Sequence, residues 1–204
     1  MKRSKVTVLL CIIAVVFLIV AALIGNTKTT IKVMDSMMSY AGYERYEDAL
    51  GRSTLVVYGT VKEIGKSYCH EFVINSGKNS ITADYYYTPI VIEIEEVIMG
   101  DVTVKEVTYN ALGGRIGNKI YDYQAFDTLD YEVGDKILVF LRNTMHPEIG
   151  YECIGPQCVI SEDENGKATR EALGENKEAD TLEKQVELVK NAYSKMLTEG
   201  KVTE

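Results

Sequence analysis

Hydrophobic and polar positions divide the chain into three regimes. Val6 to Ile24, VTVLLCIIAVVFLIVAALI, is nineteen residues without a charge. At about 1.5 Å per residue a helix over this run spans roughly 28 Å, close to the ~30 Å hydrocarbon core of a bilayer. From residue 53 to 161 the period falls to two and strands are expected. From residue 180 onward apolar positions return at three- and four-residue spacing.

The apolar run predicts a retained transmembrane helix. A cleavable signal usually has a core of about 7–15 residues and a small-residue site at its end. Here Val20-Ala21-Ala22 lies inside the apolar stretch. Cleavage there is the alternative, and it would give a secreted protein. Lipidation of Cys11 is disfavoured, because Leu10 precedes it where a small residue is needed. Lys2, Arg3 and Lys5 flank the run on its N-terminal side, against Lys28 and Lys32 beyond it. The positive-inside rule then leaves the N-terminus cytoplasmic and the rest outside the cell.

Residues 26–42 form an expected stalk, with Met34, Met37, Met38 and Ala41 at helical spacing. Tyr43 to Leu50 reads as a short amphipathic helix stopped by Gly51. Strand patterns follow at Ser53–Ile64 (Gly59 as a bulge), Ser67–Asn75, Tyr85–Ile98, Val104–Leu112, Lys119–Tyr123, Lys136–Arg142 and Tyr151–Ser161, the last broken at Gly155-Pro156. Residues Asn75–Asn79 and Gly113–Asn118 are expected as turn and loop, and Asp163–Gly166 carries an Asn-Gly hairpin signal. Leu182, Val186, Val189, Tyr193, Met196 and Leu197 trace a helix over about 181–198, opened by an Asp180/Glu183 capping pair.

The expected fold is therefore mainly β. It is a small barrel of five to six strands, flanked by a short helix and a C-terminal amphipathic helix and preceded by one transmembrane helix. The expected divisions are 1–25 (cytoplasmic tip and anchor), 26–42 (stalk), 43–170 (β-barrel domain) and 171–204 (linker and C-terminal helix).

Charge sharpens the partner classes. Residues 1–25 hold three basic and no acidic side chains, so the remainder carries 19 basic against 30 acidic, a net −11. Such a domain is repelled by nucleic acid and by anionic head groups. The membrane contact expected is Val6 to Ile24 alone.

Candidate chemistry is sparse. Cys153 and Cys158 bracket Ile-Gly-Pro-Gln, a turn that suits a local disulfide. Free thiols are the alternative, and zinc held with Cys69, His70 and His146 a weaker one. Glu93 and Glu95 share a strand face, which more often is simply solvated. Neighbouring Cys69 and His70 point to opposite strand faces and suit no nucleophile–base pair. Gly113-Gly114-x-x-Gly117 precedes no helix, so it meets no nucleotide fingerprint. Asp163–Gly166 lacks the ligand spacing of a Ca²⁺ loop. Tyr85, Tyr86 and Tyr87, with Tyr121 and Tyr123, are a candidate aromatic surface for a protein or glycan partner, weighed against the ordinary preference of tyrosine for half-exposed strands.

The succession LVVYGTVKEI, YTPIVIEIEEVIMGD, VTYNALGGRIG, YEVGDKILVFL and YECIGPQCVIS resembles a domain of uncharacterised exported bacterial proteins. The match covers about residues 43–162 and is carried mainly by Gly59, Gly100, Asp101, Gly113, Gly114, Gly134 and Asp135. The resemblance implies an oligonucleotide-binding-like (OB-like) β-barrel, similar in shape to tissue inhibitors of metalloproteases, and no established activity. Those inhibitors use a mature N-terminal cysteine, which the tether at 26–42 precludes here.

The function expected is a membrane-tethered extracytoplasmic binding or interaction module with no enzymatic activity and no cofactor or metal. An envelope enzyme or metal-dependent factor using Cys69, His70, Glu93 and Glu95 is the first alternative. A structural subunit of an envelope complex, docking through its C-terminal helix, is the second.

Overall fold

The computed structural model describes residues 31–34, 42–76, 79–122, 131–144, 146–173 and 179–201. The expected membrane helix at Val6–Ile24 lies outside them. Among the described residues no helix is long and apolar enough to cross a membrane.

The chain is mainly β with a C-terminal helix. In order the elements are β1 (Ile31–Met34), α1 (Tyr46–Leu50), β2 (Leu55–Ile64), β3 (Tyr68–Ser76), β4 (Asn79–Met99), β5 (Glu106–Leu112), β6 (Gly114–Ile116), β7 (Lys119–Asp122), β8 (Lys136–Asn143), β9 (Tyr151–Cys153), β10 (Val159–Ser161) and α2 (Leu182–Thr198). A 3₁₀ turn, Pro156–Cys158, separates β9 from β10.

The larger sheet runs β10-β8-β2-β4-β5-β9, with β3 paired to the free stretch of β4. Strand β9 pairs both β5, in parallel at Tyr109↔Tyr151, and β8, antiparallel. The hydrogen-bonded path from β8 through β2, β4, β5 and β9 thus returns to β8. A second, three-stranded sheet runs β1-β7-β6.

Strand β8 explains the core. Ile137 to Leu141 are all fully buried, as an unbroken apolar run requires when both faces are covered. They meet Leu55, Val56, Val57, Ile90, Ile92 and Tyr109, none more than 1% exposed. Helix α1 adds Tyr46, Ala49 and Leu50, and the Tyr46 ring lies parallel to Phe140 at 6.2 Å. Helix α2 adds Leu182, Val186, Val189 and Met196. On its rim Lys190 pairs with Glu96 at 2.6 Å and Lys195 with Glu47 at 3.6 Å.

Several expectations need correcting. Ile31–Met34 falls in the segment expected as a stalk with helical spacing, yet it is a strand, parallel to β7. An available edge on β7 supplies the backbone pairing that overrides the methionine spacing. Met37, Met38 and Ala41 lie outside the described residues. Gly113–Asn118 is not a plain loop: β6 and β7 form a hairpin across Gly117-Asn118, with Ile116 opposite Lys119. Among the described residues there are ten strands: β1 and β6 were not expected, and the run Tyr151–Ser161 divides into β9 and β10 at the 3₁₀ turn. The helix cap is Thr181, whose hydroxyl accepts from the Lys184 N–H. Asp180 instead pairs with Lys184 Nζ at 2.9 Å.

The bulge expected at Gly59 is present, since the β2–β4 register shifts between Tyr58 and Gly59. Gly134 and Asp135 also gain a role. The Gly134 N–H donates to Val61 O and the Val61 N–H to Asp135 O, locking the turn before β8 onto β2. Their work is architectural.

Candidate functional site

The β3–β4 hairpin sets up the most unusual surface. Tyr68 pairs with Tyr87, His70 with Tyr85 and Phe72 with Ala83. Strand alternation therefore gathers Tyr68, His70, Phe72, Tyr85 and Tyr87 on one face. Cys69, Glu71, Asp84 and Tyr86 take the other. Phe72 stands edge-on to His70 at 4.6 Å and to Tyr85 at 5.1 Å, the arrangement ring quadrupoles favour. Tyr68 lies 5.9 Å from Tyr87, which is 4% exposed and joins the core.

The 144–150 loop closes over this face. Thr144 and Gly150 join through a backbone hydrogen bond of 3.0 Å, and the Ile149 N–H donates to His146 O at 2.9 Å. Asn110 on β5 accepts from the Tyr68 hydroxyl and donates to Ile149 O. Buried Ile149 pins the loop from beneath. His146 is thereby set over Phe72, ring to ring at 4.3 Å, and 6.4 Å from the His70 ring.

Glu148 completes the group. Its Oε1 lies 3.4 Å from His70 Nε2 and 3.4 Å from His146 Nδ1. The only two histidines of the chain, 76 residues apart, thus meet at one carboxylate oxygen. The Glu148 carboxyl is held below its ordinary pKa, chiefly by its own backbone N–H and further by the two imidazoles. It is anionic at neutral pH.

A polar latch holds the other end of the hairpin. The Thr88 hydroxyl donates to Gly113 O at 2.7 Å, so Ser67 must be the donor across its 2.9 Å contact with Thr88. Ser67 accepts in turn from the Arg115 N–H. A Cβ on Gly114 would run into both hydroxyls. Gly114, the second of the two glycines, permits this close approach.

The candidate tyrosines separate. Tyr85 belongs to the His70–Phe72 face and Tyr87 to the core. Tyr86, on the opposite face, stacks on Tyr121 with centroids 3.4 Å apart and planes 14° from parallel. Tyr123 lies outside the described residues. Hydrogen bonding to Tyr121 raises the Tyr86 pKa.

Cys69, His70, Glu93 and Glu95 do not converge. Cys69 and His70 occupy opposite faces. Glu93 is eight residues along β4 from Tyr85, about 26 Å of strand. Glu95 is engaged by Lys136 and by the Thr60 hydroxyl, and these lower its pKa in that order. Cys153 and Cys158 are free thiols, both buried. Cys153 donates its S–H to Gly155 O at 3.0 Å. Burial drives both pKa values up, that of Cys153 to about 12.

An open cleft is lined by Glu132, Asp135, Glu162, Asp163 and Glu164. Two of these acids serve their own turns. Asp135 accepts from the Glu132 N–H, and Asp163 from the N–H groups of Asn165 and Lys167.

Neither the meeting of Glu148 with two histidines nor the role of Phe72 is visible along the chain. The parity of 68, 70 and 72 was a signal, but its value depended on the cross-strand register. No protein-family model matches the chain, and no match was found among curated proteins or solved structures.

Proposed function

We propose that the chain is a membrane-tethered binding module of the cell exterior, held by Val6–Ile24 and without catalytic activity of its own. Its contact surface in this reading is the His70–Phe72–Tyr85–His146 face, and its partner is a protein or glycan. The observation that carries the reading is this aromatic–imidazole face on a hairpin that runs past the core sheet. Rigid rings present contact area at low entropic cost, which suits recognition. Net −11 outside the anchor argues against nucleic acid as the partner.

The pairing path that returns from β9 to β8 supports an OB-like barrel, the architecture implied by the family resemblance. The alternative of a subunit docking through its C-terminal helix is less favoured. The apolar face of α2 already packs within the domain, with Leu182 and Val189 fully buried.

Chemical cross-linking followed by capture with the full-length chain tests the proposal. A partner retained by the wild type and lost by the doubly substituted F72A/Y85A chain is the expected result. Equal retention by both, or robust hydrolase or transferase turnover by the purified chain, would overturn it. Protease added to intact cells tests the topology: residues 30–204 should be digested.

A further inference from the structure

We propose that strand β3 is a pairing edge for a second copy of this chain, the two copies joining antiparallel about a twofold axis at Phe72. Among the described residues β3 pairs with β4 alone, so its other side presents a row of backbone N–H and C=O groups. The remaining edge strands, β1, β6 and β10, are four, three and three residues long. Such shortness is one of the usual protections against strand addition. By contrast β3 has nine residues, about 30 Å of strand.

The other protections are missing from β3 as well. Its sequence, YCHEFVINS, has no proline and no lysine, and Glu71 is its one formal charge with histidine neutral. Its register with β4 runs through all nine residues without a bulge. Val73 is 56% exposed, one of three large apolar side chains left open among the described residues. The hairpin's other edge is engaged at Tyr86, whose carbonyl accepts from the Gly113 N–H and whose ring stacks on Tyr121 of the second sheet.

Self-pairing geometry selects the register. Directly opposite residues of an antiparallel pair share a sheet face, so residues of equal parity must oppose each other. Centring on Phe72 is the one choice that pairs all nine positions, 68 opposite 76 and 72 opposite itself. Glu71 then faces Val73 of the second copy, and no two like charges are opposed. Centring one residue earlier would set Glu71 against itself. The axis also brings the His70–Phe72–Tyr85 faces of both copies to one side of a continuous sheet. The proposal goes beyond the binding-module reading and does not depend on it, because self-association needs no external partner.

Sedimentation equilibrium of the full-length chain in detergent micelles tests it. A dimer is expected at about 100 µM chain. V73E sets a carboxylate opposite Glu71 of the second copy, twice per dimer, and should weaken association by at least about tenfold. V73K sets an ammonium at the same places and should hold the dimer at least as tightly as the wild type. E71K/V73E exchanges the charges and should restore what V73E loses. Val73 is exposed, so circular dichroism should find all of these chains folded. A monomer at about 100 µM, a dimer that V73E leaves unchanged, or equal weakening by V73E and V73K would overturn the proposal.

Discussion

The Tyr46 hydroxyl in α1 donates a 2.9 Å hydrogen bond to Gln185 Oε1 in α2, 139 residues later. Gln185 is 0% exposed, and its Nε2 donates to Arg170 O and Ala179 O. A buried amide is tolerable because each of its polar atoms is matched. The bond fastens both ends of the described domain over the same sheet.

Gln185→Ala should therefore destabilise the fold by about 3 kcal/mol, leaving the Tyr46 hydroxyl and two carbonyls without this partner. Tyr46→Phe should cost about 1–2 kcal/mol. The double variant should lose less than the sum, since the two sites share one interaction. Chemical denaturation of the four proteins measures this.

Gly59→Ala should be among the most damaging single-methyl additions. Its Cβ would fall inside contact distance of the Glu93 carbonyl oxygen, on the neighbouring strand backbone. A main-chain atom in a paired strand cannot rotate aside. A loss of about 3 kcal/mol or more is expected. A thermal midpoint within a degree of wild type would refute this account of the bulge.

Alkali should unfold the protein cooperatively. Burial raises the Tyr46 pKa from 10.0 to about 12, that of Tyr109 well above 10.0, and that of Cys153 from 9.0 to about 12. Each group holds its proton more tightly folded than unfolded. Their contribution is intact below about pH 9 and is lost as pH rises from there through 12. Tyrosinate absorbance and circular dichroism, followed together against pH, should show the last tyrosines ionising with unfolding. Independent transitions would contradict this.

Thiol reagents should distinguish the cysteines. Cys69 is exposed, whereas Cys153 and Cys158 are at most 6% exposed. Peptide mapping after iodoacetamide should find Cys69 modified in the native protein, and the other two only after unfolding. Cys69 should react slowly for an exposed thiol, because partial desolvation, Asp84 and Glu71 oppose its thiolate. Native modification of Cys153 would refute the packing of β9.

The sequence alone determined what depends on local period. The alternation of Ile90, Ile92 and Ile94, the unbroken run of β8 and the stripe of α2 each announce how an element must be buried, because burial follows the repeat of the backbone. Gly59 was legible because a glycine in a β-branched run is informative by itself. The tertiary structure decided everything that depends on register. One residue of slip would turn His70 away from Tyr85. Only the pairing of β3 with β4, and the loop held by Asn110 and Ile149, brings His70, His146 and Glu148 together. Gln185 escaped the sequence for the same reason: a polar residue can occupy a core face only where distant partners meet it, and Tyr46, Arg170 and Ala179 converge only once the chain has closed.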